Sequence, residues 1–240
     1  RHNDALEAMK EIHGKYTISK IRSHEETGTA WSFDRDRRVS EWCIENKVEW
    51  IEYPNNGVIR GMKERDKWKT SRDRRMGLDL LAPPKRIAGV QSKHENATMQ
   101  SIGMSRRQII HRPVPGQDAA MDVLRSFLSS RGESYRWSMS SPSLAVDNCS
   151  RLAPYFSTGC LSIRRVVQAT SSKMRRLKEA RSRGEDVGGW LQSLSSFQSR
   201  LAWHCHFMQK LEMEPTLDTR AQNPLIDRSM NREMDLSLIH

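Results

Sequence analysis

The sequence predicts a mostly α protein, with a short α/β segment over residues 1–68, a linker over 69–115 and an all-helical region over 116–240. Three observations predict this. Apolar residues recur at helical spacing around 39–46, 120–128 and 197–208. Two brief runs, near 16–18 and 48–53, have the aromatic and β-branched character of strands. Proline and basic residues crowd the stretch between the two regions.

In chain order, Tyr16-Thr17-Ile18 is expected to form a short strand, Arg35 to Asn46 a helix with Val39, Trp42, Cys43 and Asn46 on one face, and Val48 to Tyr53 a second strand. Two strands are too few for a doubly wound sheet. Pro83-Pro84, Pro113 and Pro115 then break any long helix, because proline lacks an N–H and its ring clashes with the preceding turn. Gly116-Gln117-Asp118 opens an amphipathic helix in which Ala120, Leu124, Phe127 and Leu128 share a face, with Asp118 as the expected cap. Residues 173–183 concentrate Lys173, Arg175, Arg176, Lys178, Arg181 and Arg183; a solvated helix is the favoured reading and a DNA-tracking face the alternative. Residues 195–211 follow as a helix with Phe197, Leu201, His204 or Cys205, and Met208 in one buried stripe, and with Trp203 off it, where a place in the core and a place facing a ligand are equal alternatives. From Pro215 onward, scattered polar residues and Asn223-Pro224 predict a loop or frayed segment.

Forty basic residues against 29 acidic ones give a net charge of +11 and a pI near 9.8. A field of that sign attracts polyanions and fits a surface that contacts nucleic-acid phosphates. Cys43, Cys149, Cys160 and Cys205 show no C-x-x-C spacing, which argues against a zinc or iron–sulfur site and for buried thiols in a reducing compartment. His204 and His206 point to different sides of a helix and cannot chelate one ion as an i, i+4 pair does, while His24-Glu25-Glu26 lacks the second His of a zinc-protease helix. No metal is expected. No apolar run approaches the about 20 residues of a membrane helix, and none at the start has the form of a secretory signal. A cytoplasmic location without a membrane partner is the expectation.

The densest chemistry lies in Asn148-Cys149-Ser150-Arg151-Leu152-Ala153-Pro154-Tyr155-Phe156-Ser157-Thr158-Gly159-Cys160-Leu161-Ser162-Ile163-Arg164. Small hydroxyl and thiol residues ahead of a Leu-rich segment place free backbone N–H groups and Ser150 at a helix N-terminus, a setting that favours a pyrophosphate. Arg151 adds a charge-assisted bond to the same anion or pairs with a carboxylate beneath it. The plainer alternative is a capped helix that binds nothing, since Ser-Arg-Leu alone is a common cap.

This block, with Tyr135 upstream, resembles the flavin-phosphate loop of DNA photolyases and cryptochromes, departing mainly at Ala153, where that family has Ser. Residues 195–211, Ser195-Ser196-Phe197-Gln198-Ser199-Arg200-Leu201-Ala202-Trp203-His204-Cys205-His206-Phe207-Met208-Gln209-Lys210-Leu211, resemble the photolyase helix that passes under the flavin and faces the lesion. Arg22-Ser23-His24-Glu25-Glu26-Thr27-Gly28, Arg35-Asp36, Val39, Trp42, and the run from Val48-Glu49-Trp50 to Gly57-Val58-Ile59-Arg60 are similar to the last part of the antenna domain. The resemblance covers most of the chain, and the chain covers about half of such a protein. It implies an internal fragment: the end of a parallel, Rossmann-like α/β antenna domain, an interdomain linker, and the first part of an all-helical FAD-binding domain.

The resemblance further implies light-driven, FAD-dependent repair of pyrimidine dimers by electron transfer, that is, a carbon–carbon lyase activity, with UV-damaged DNA as partner and a monomeric full-length protein. Tyr135, Cys149, Ser150, Arg151, Leu152 and Ala153 would hold the phosphates and ribitol. Phe197, Arg200 and His204 would line the flavin, and Arg200, Trp203 and His204 the lesion side, where a flat π-surface stacks on an extruded base. No side chain is assigned a catalytic bond-making role. An antenna chromophore of folate or deazaflavin type is compatible with the family but not assignable to residues. Many dimer-repairing members carry a carboxylate where Arg200 stands, and His204 replaces a common Arg; an arginine cannot donate a proton near neutral pH. A cryptochrome-type blue-light receptor without repair therefore stays open, as does a basic helical nucleic-acid-binding module without cofactor. The fragment alone is expected to hold flavin weakly or not at all and to be inactive.

Overall fold

A computed structural model describes residues 4–90, 98–104, 112–223 and 225–226, and in these the chain is mostly helical with a two-stranded parallel sheet. The first helix, α1 (Ala5–Tyr16), starts where the Asp4 carboxylate accepts the Leu6 N–H at 2.9 Å and ends at Thr17, whose φ of 53° closes the last turn onto the His13 carbonyl. The strand expected at Tyr16-Thr17-Ile18 is thus displaced: Leu6 and Met9 give this stretch a helical period, and pairing begins only at β1 (Lys20–His24). Helix α2 (Ala30–Glu45) starts earlier than Arg35 and leads to β2 (Glu49–Tyr53). Parallel strands need such a crossover, and the register Ile21 to Trp50 and Ser23 to Glu52 is locked by Trp50 Nε1 donating to Ser23 Oγ at 2.9 Å. Val39, Trp42, Cys43 and Val48 bury together over this sheet, with His13 edge-on to Trp42 at 5.3 Å. Each large side chain buried there contributes about 1.5–3 kcal/mol.

The first part of the expected linker is a helix. In α3 (Trp68–Met76), Trp68, Arg72 and Met76 recur at four-residue spacing and are buried, so the segment belongs to the helical core and the proline breaks fall after it. Residues 91–97 and 105–111 of that linker lie outside the described residues. Helix α4 (Gln117–Ser129) buries Ala120, Leu124 and Phe127 as its pattern predicts. Its cap is Gly116, at φ 108°, rather than Asp118, which sits inside the first turn; the turn into the helix needs a backbone conformation that only glycine adopts cheaply. Three short helices follow, α5 (Tyr135–Ser138), α6 (Pro142–Asn148) and α7 (Ala153–Ser157), and then two long ones, α8 (Ile163–Ser182) and α9 (Trp190–Met213). Leu152, Leu161, Val166, Leu194, Phe197 and Leu201 close the core between them.

Helix α9 also fastens the α/β unit. The fully buried Gln209 amide reads the backbone of Ile59 in both directions, accepting its N–H at 2.7 Å and donating to its carbonyl at 3.0 Å. Gly57 lies so close that an added Cβ would meet the Arg72 side chain and approach Cys205 Cβ to 3.0 Å. The tail expected to be loop forms a 3₁₀ turn over Pro215–Asp218, and Asp218 accepts the Ala30 N–H at 3.2 Å, supplying the α2 N-terminus with a partner that Thr29 does not. Pro224 and residues 227–240 of that tail lie outside the described residues.

Candidate anion-binding loop and its surroundings

The chain between α6 and α7 is held by Arg131, which follows α4. Its Nε donates to Ser126 Oγ at 3.0 Å, Nη2 to the Val123 carbonyl at 3.1 Å, and Nη1 to the carbonyls of Asp147 and Cys149. One guanidinium thus ties the end of α4 to the start of the loop. Burial, then repulsion from Arg151, pushes the Arg131 pKa down from its usual value.

Beyond this anchor, Arg151 takes φ 60°, a left-handed conformation uncommon outside glycine, and Leu152 returns to the right-handed region at φ −89°, ψ −11°. None of the backbone N–H groups of Ser150, Arg151, Leu152 and Ala153 donates to an acceptor among the described residues. Consecutive free N–H groups around alternating left- and right-handed residues form an anion-binding concavity. The expectation of Ser150 at a helix N-terminus is corrected in detail: α7 begins at Ala153, has Leu152 as its cap, and is only five residues long, so free N–H groups rather than a long helix's dipole favour an anion. Arg151 is exposed and has no ion-pair partner among the described residues. With Ala153 it lines a cleft of about 720 Å³ walled by Pro113, Val114, Val123 and Tyr155, and the Tyr155 hydroxyl donates to the Val114 carbonyl at 2.9 Å.

The other predicted site residues divide into three settings. The side chains of Leu152, Tyr135 and Phe197 are core: Leu152 is fully buried, and the rings of Tyr135 and Phe197 meet at 5.6 Å with Phe127 against both. Cys149 and Ser150 are half-buried. Burial raises the Tyr135 pKa, and the nearby Cys149 thiol adds to this while Arg200 opposes it; burial likewise raises the Cys149 thiol against the pull of Arg151 and Arg131. Tyr135, Cys149 and Arg200 are therefore electrostatic neighbours.

Arg200 and Trp203 stand on the open side of α9. The Arg200 guanidinium lies over the Trp203 ring at 4.0 Å, and Trp203, 47% exposed, meets Phe207 edge-on at 6.2 Å. This decides the position of Trp203 against the core. One residue on, His204 turns toward a separate cleft of about 330 Å³ shared with His24, Asn55, Asn56 and Arg164, its ring 6.0 Å from Phe156. Burial, then the charge of Arg72, lowers its pKa, which keeps the ring neutral near pH 7. The fold brings Arg200 and Trp203 together and separates His204 from them. His206 packs on Trp68 at 5.6 Å.

Sequence reasoning missed Arg131, Gly57 and Gln209. Only Gln209 left a signal, because it continues the four-residue series Phe197, Leu201, Cys205, a place taken by Met208 in the expected stripe. Among the described residues, no group of three or more His, Cys, Asp or Glu side chains could hold a metal ion, and no helix is long and apolar enough to cross a membrane. No protein-family model and no curated protein matches this chain.

Proposed function

We propose that this chain is the flavin-phosphate part of a photolyase-type flavoprotein, with the α/β unit as a piece of a Rossmann-like antenna domain and UV-damaged DNA as the partner. The observation that carries the reading is the run of four N–H groups from Ser150 to Ala153, around the left-handed Arg151, that no described residue engages. Those groups suit an anion such as the pyrophosphate of FAD, Arg151 adds an exposed cation, and the apolar wall of Val114, Val123 and Tyr155 keeps water from one side. Arg131 holds the loop in register for binding. Bound FAD would supply light-driven electron transfer to a pyrimidine dimer. On the open face of α9, Trp203 offers a surface for an extruded base and Arg200 a phosphate or base-carbonyl contact.

Titration of the chain with FAD, followed by quenching of flavin fluorescence, tests this reading. Saturable binding in the micromolar range is expected, weakened tenfold or more by Arg151→Ala and competed by ADP; equal affinity in the variant sinks the role given to Arg151, and absence of saturable binding sinks the flavin site. A second reading, a blue-light receptor of the same family without repair, draws on the Arg200 guanidinium that covers the Trp203 face where a base would stack. Illumination of a reduced, FAD-loaded longer chain that carries the whole flavin domain, with dimer-containing DNA, separates the two, because only repair lowers the dimer content.

A further inference from the structure

On the opposite side of α9 from Arg200, Gln198 faces α8, donating to the Val167 carbonyl and to Ser171 Oγ, both at 3.0 Å. Two residues on a helix are about 200° apart, so this side is distinct from the Trp203 face. A cleft of about 620 Å³ opens there between α3, α8 and α9, with Arg72, Ser171, Ser172, Arg175 and Gln198 among its lining residues. Arg72 is an unusual wall for a cleft. Its side chain is 5% exposed, Nη1 bonds Asp73 at 2.9 Å, and neither Nε nor Nη2 has a partner among the described residues. Asp73 is shared with Lys69, which lies 2.7 Å from its other oxygen, so one carboxylate faces two cations and the group keeps a net positive charge.

The cleft opens onto a basic helix surface. Arg175, Arg176, Lys178 and Arg181 of α8 face solvent or its margin against one carboxylate, Glu179, and none of the four forms an ion pair among the described residues. Glu179 stands four residues after Arg175 without forming an ion pair with it among the described residues, and Arg175, Lys178 and Arg181 follow one i, i+3 ridge of like charge, with Arg176 beside it. Lys173 is spent differently, over the Trp190 ring at 3.8 Å. Helix α8 is about 30 Å long, close to one turn of duplex DNA. Contacts from Gln168 to the carbonyls of Met76 at 2.9 Å and Leu78 at 2.7 Å set the end of α3 beside it, so the uncompensated charge of Arg72 adds to that of Arg175.

We propose that the cleft between α3, α8 and α9 seats a backbone phosphate of nucleic acid, and that the basic face of α8 carries the strand onward. Arg175 and the Ser171 and Ser172 hydroxyls supply the direct donors, and Arg72 supplies field from beneath. Phosphate contacts of this kind position a strand without reading its sequence. The site needs neither flavin nor lesion.

Fluorescence anisotropy with a labelled, undamaged duplex, without FAD and over a salt series, tests the proposal on the whole chain. Arg175→Glu/Arg181→Glu, two exposed positions whose change leaves the core intact, is expected to weaken binding at least tenfold and to lower the slope of log K against log salt by about 2, near 0.9 per lost contact. An equal loss from Lys15→Glu/Lys47→Glu in the α/β unit overturns the proposal, because binding then follows net charge alone. Binding of inorganic tripolyphosphate without binding of the duplex also overturns it, assigning the cleft to small polyphosphates. Failure here leaves the FAD titration untouched, so the two readings fall separately.

Discussion

The two sides of α9 obey different rules. Its inner side carries Phe197, Leu201, Cys205 and Gln209 at four-residue spacing, each buried and each against a specific neighbour. Its outer side carries Arg200, Trp203 and Phe207 at the same kind of spacing, the two aromatics about half-exposed and touching mainly one another. Periodicity alone does not separate the two, since both are helical stripes with aromatic members. What separates them is whether another element arrives: α8, α5 and the Gly57–Ile59 segment reach the inner side, and the described residues place little on the outer one. An aromatic stripe in a sequence therefore marks a helix face, and only the fold tells whether that face is core or surface.

The largest expected effect lies on the inner side. Phe197→Ala should cost about 3–5 kcal/mol in denaturant unfolding, because it removes the ring between Phe127 and Tyr135; a cost near that of a surface change would break the comparison. Gln209→Ala should cost about 2–4 kcal/mol, as two buried backbone groups of Ile59 lose their partners, and proteolysis should then cut first within residues 54–67. Gly57→Ala should cost about 1–3 kcal/mol through crowding against Arg72 and Cys205. On the outer side, Trp203→Ala should change stability by no more than about 0.5 kcal/mol, and a larger loss would mean that this face is packed in solution.

The pH dependence of stability sharpens the same contrast, because His204 sits at the edge between the sides. Its folded pKa lies below the ordinary 6.5, so the folded protein favours the neutral ring. Well above pH 6.5 the ring is neutral in both states and the pH has no leverage. As the pH falls below 6.5 the unfolded chain takes up the proton first, and stability drops until the folded pKa is passed. His204→Gln should flatten this part of the stability profile, while an unchanged profile would assign the drop to His206, whose pKa is lowered in the same direction by burial, Arg65 and Lys210.

Helix α2, β2, α4 and α9 were legible because each carries an apolar period whose buried side the fold keeps as one face. β1 was not, because the run at Tyr16 also suits the end of α1, and the cap at Asp4 settles the competition in favour of the helix. Asp118 was misread as a cap because its residue type suits that role, whereas the turn into α4 demanded the positive φ of Gly116. Within the loop, Arg151 and Ala153 are exposed and Ser150 half-buried, while Leu152 turns its side chain into the core; the burial of Phe197 on α9 was legible from its helical stripe. Arg131 could not be read at all, since its four acceptors are carbonyls and a hydroxyl with no residue-specific signature.

By itself the sequence determined the helical character of the chain, its strongly basic charge, and the local order Ser150-Arg151-Leu152-Ala153, because propensity, period and charge are properties of neighbouring residues. Tertiary structure decided three further things: that Arg151 is held in a left-handed turn with free N–H groups around it, that Gln209 belongs to the core, and that Arg72 is buried beside the basic face of α8. Each depends on residues far apart in the chain. Burial and unpaired polar groups are set by which elements meet, and no window of sequence contains that meeting.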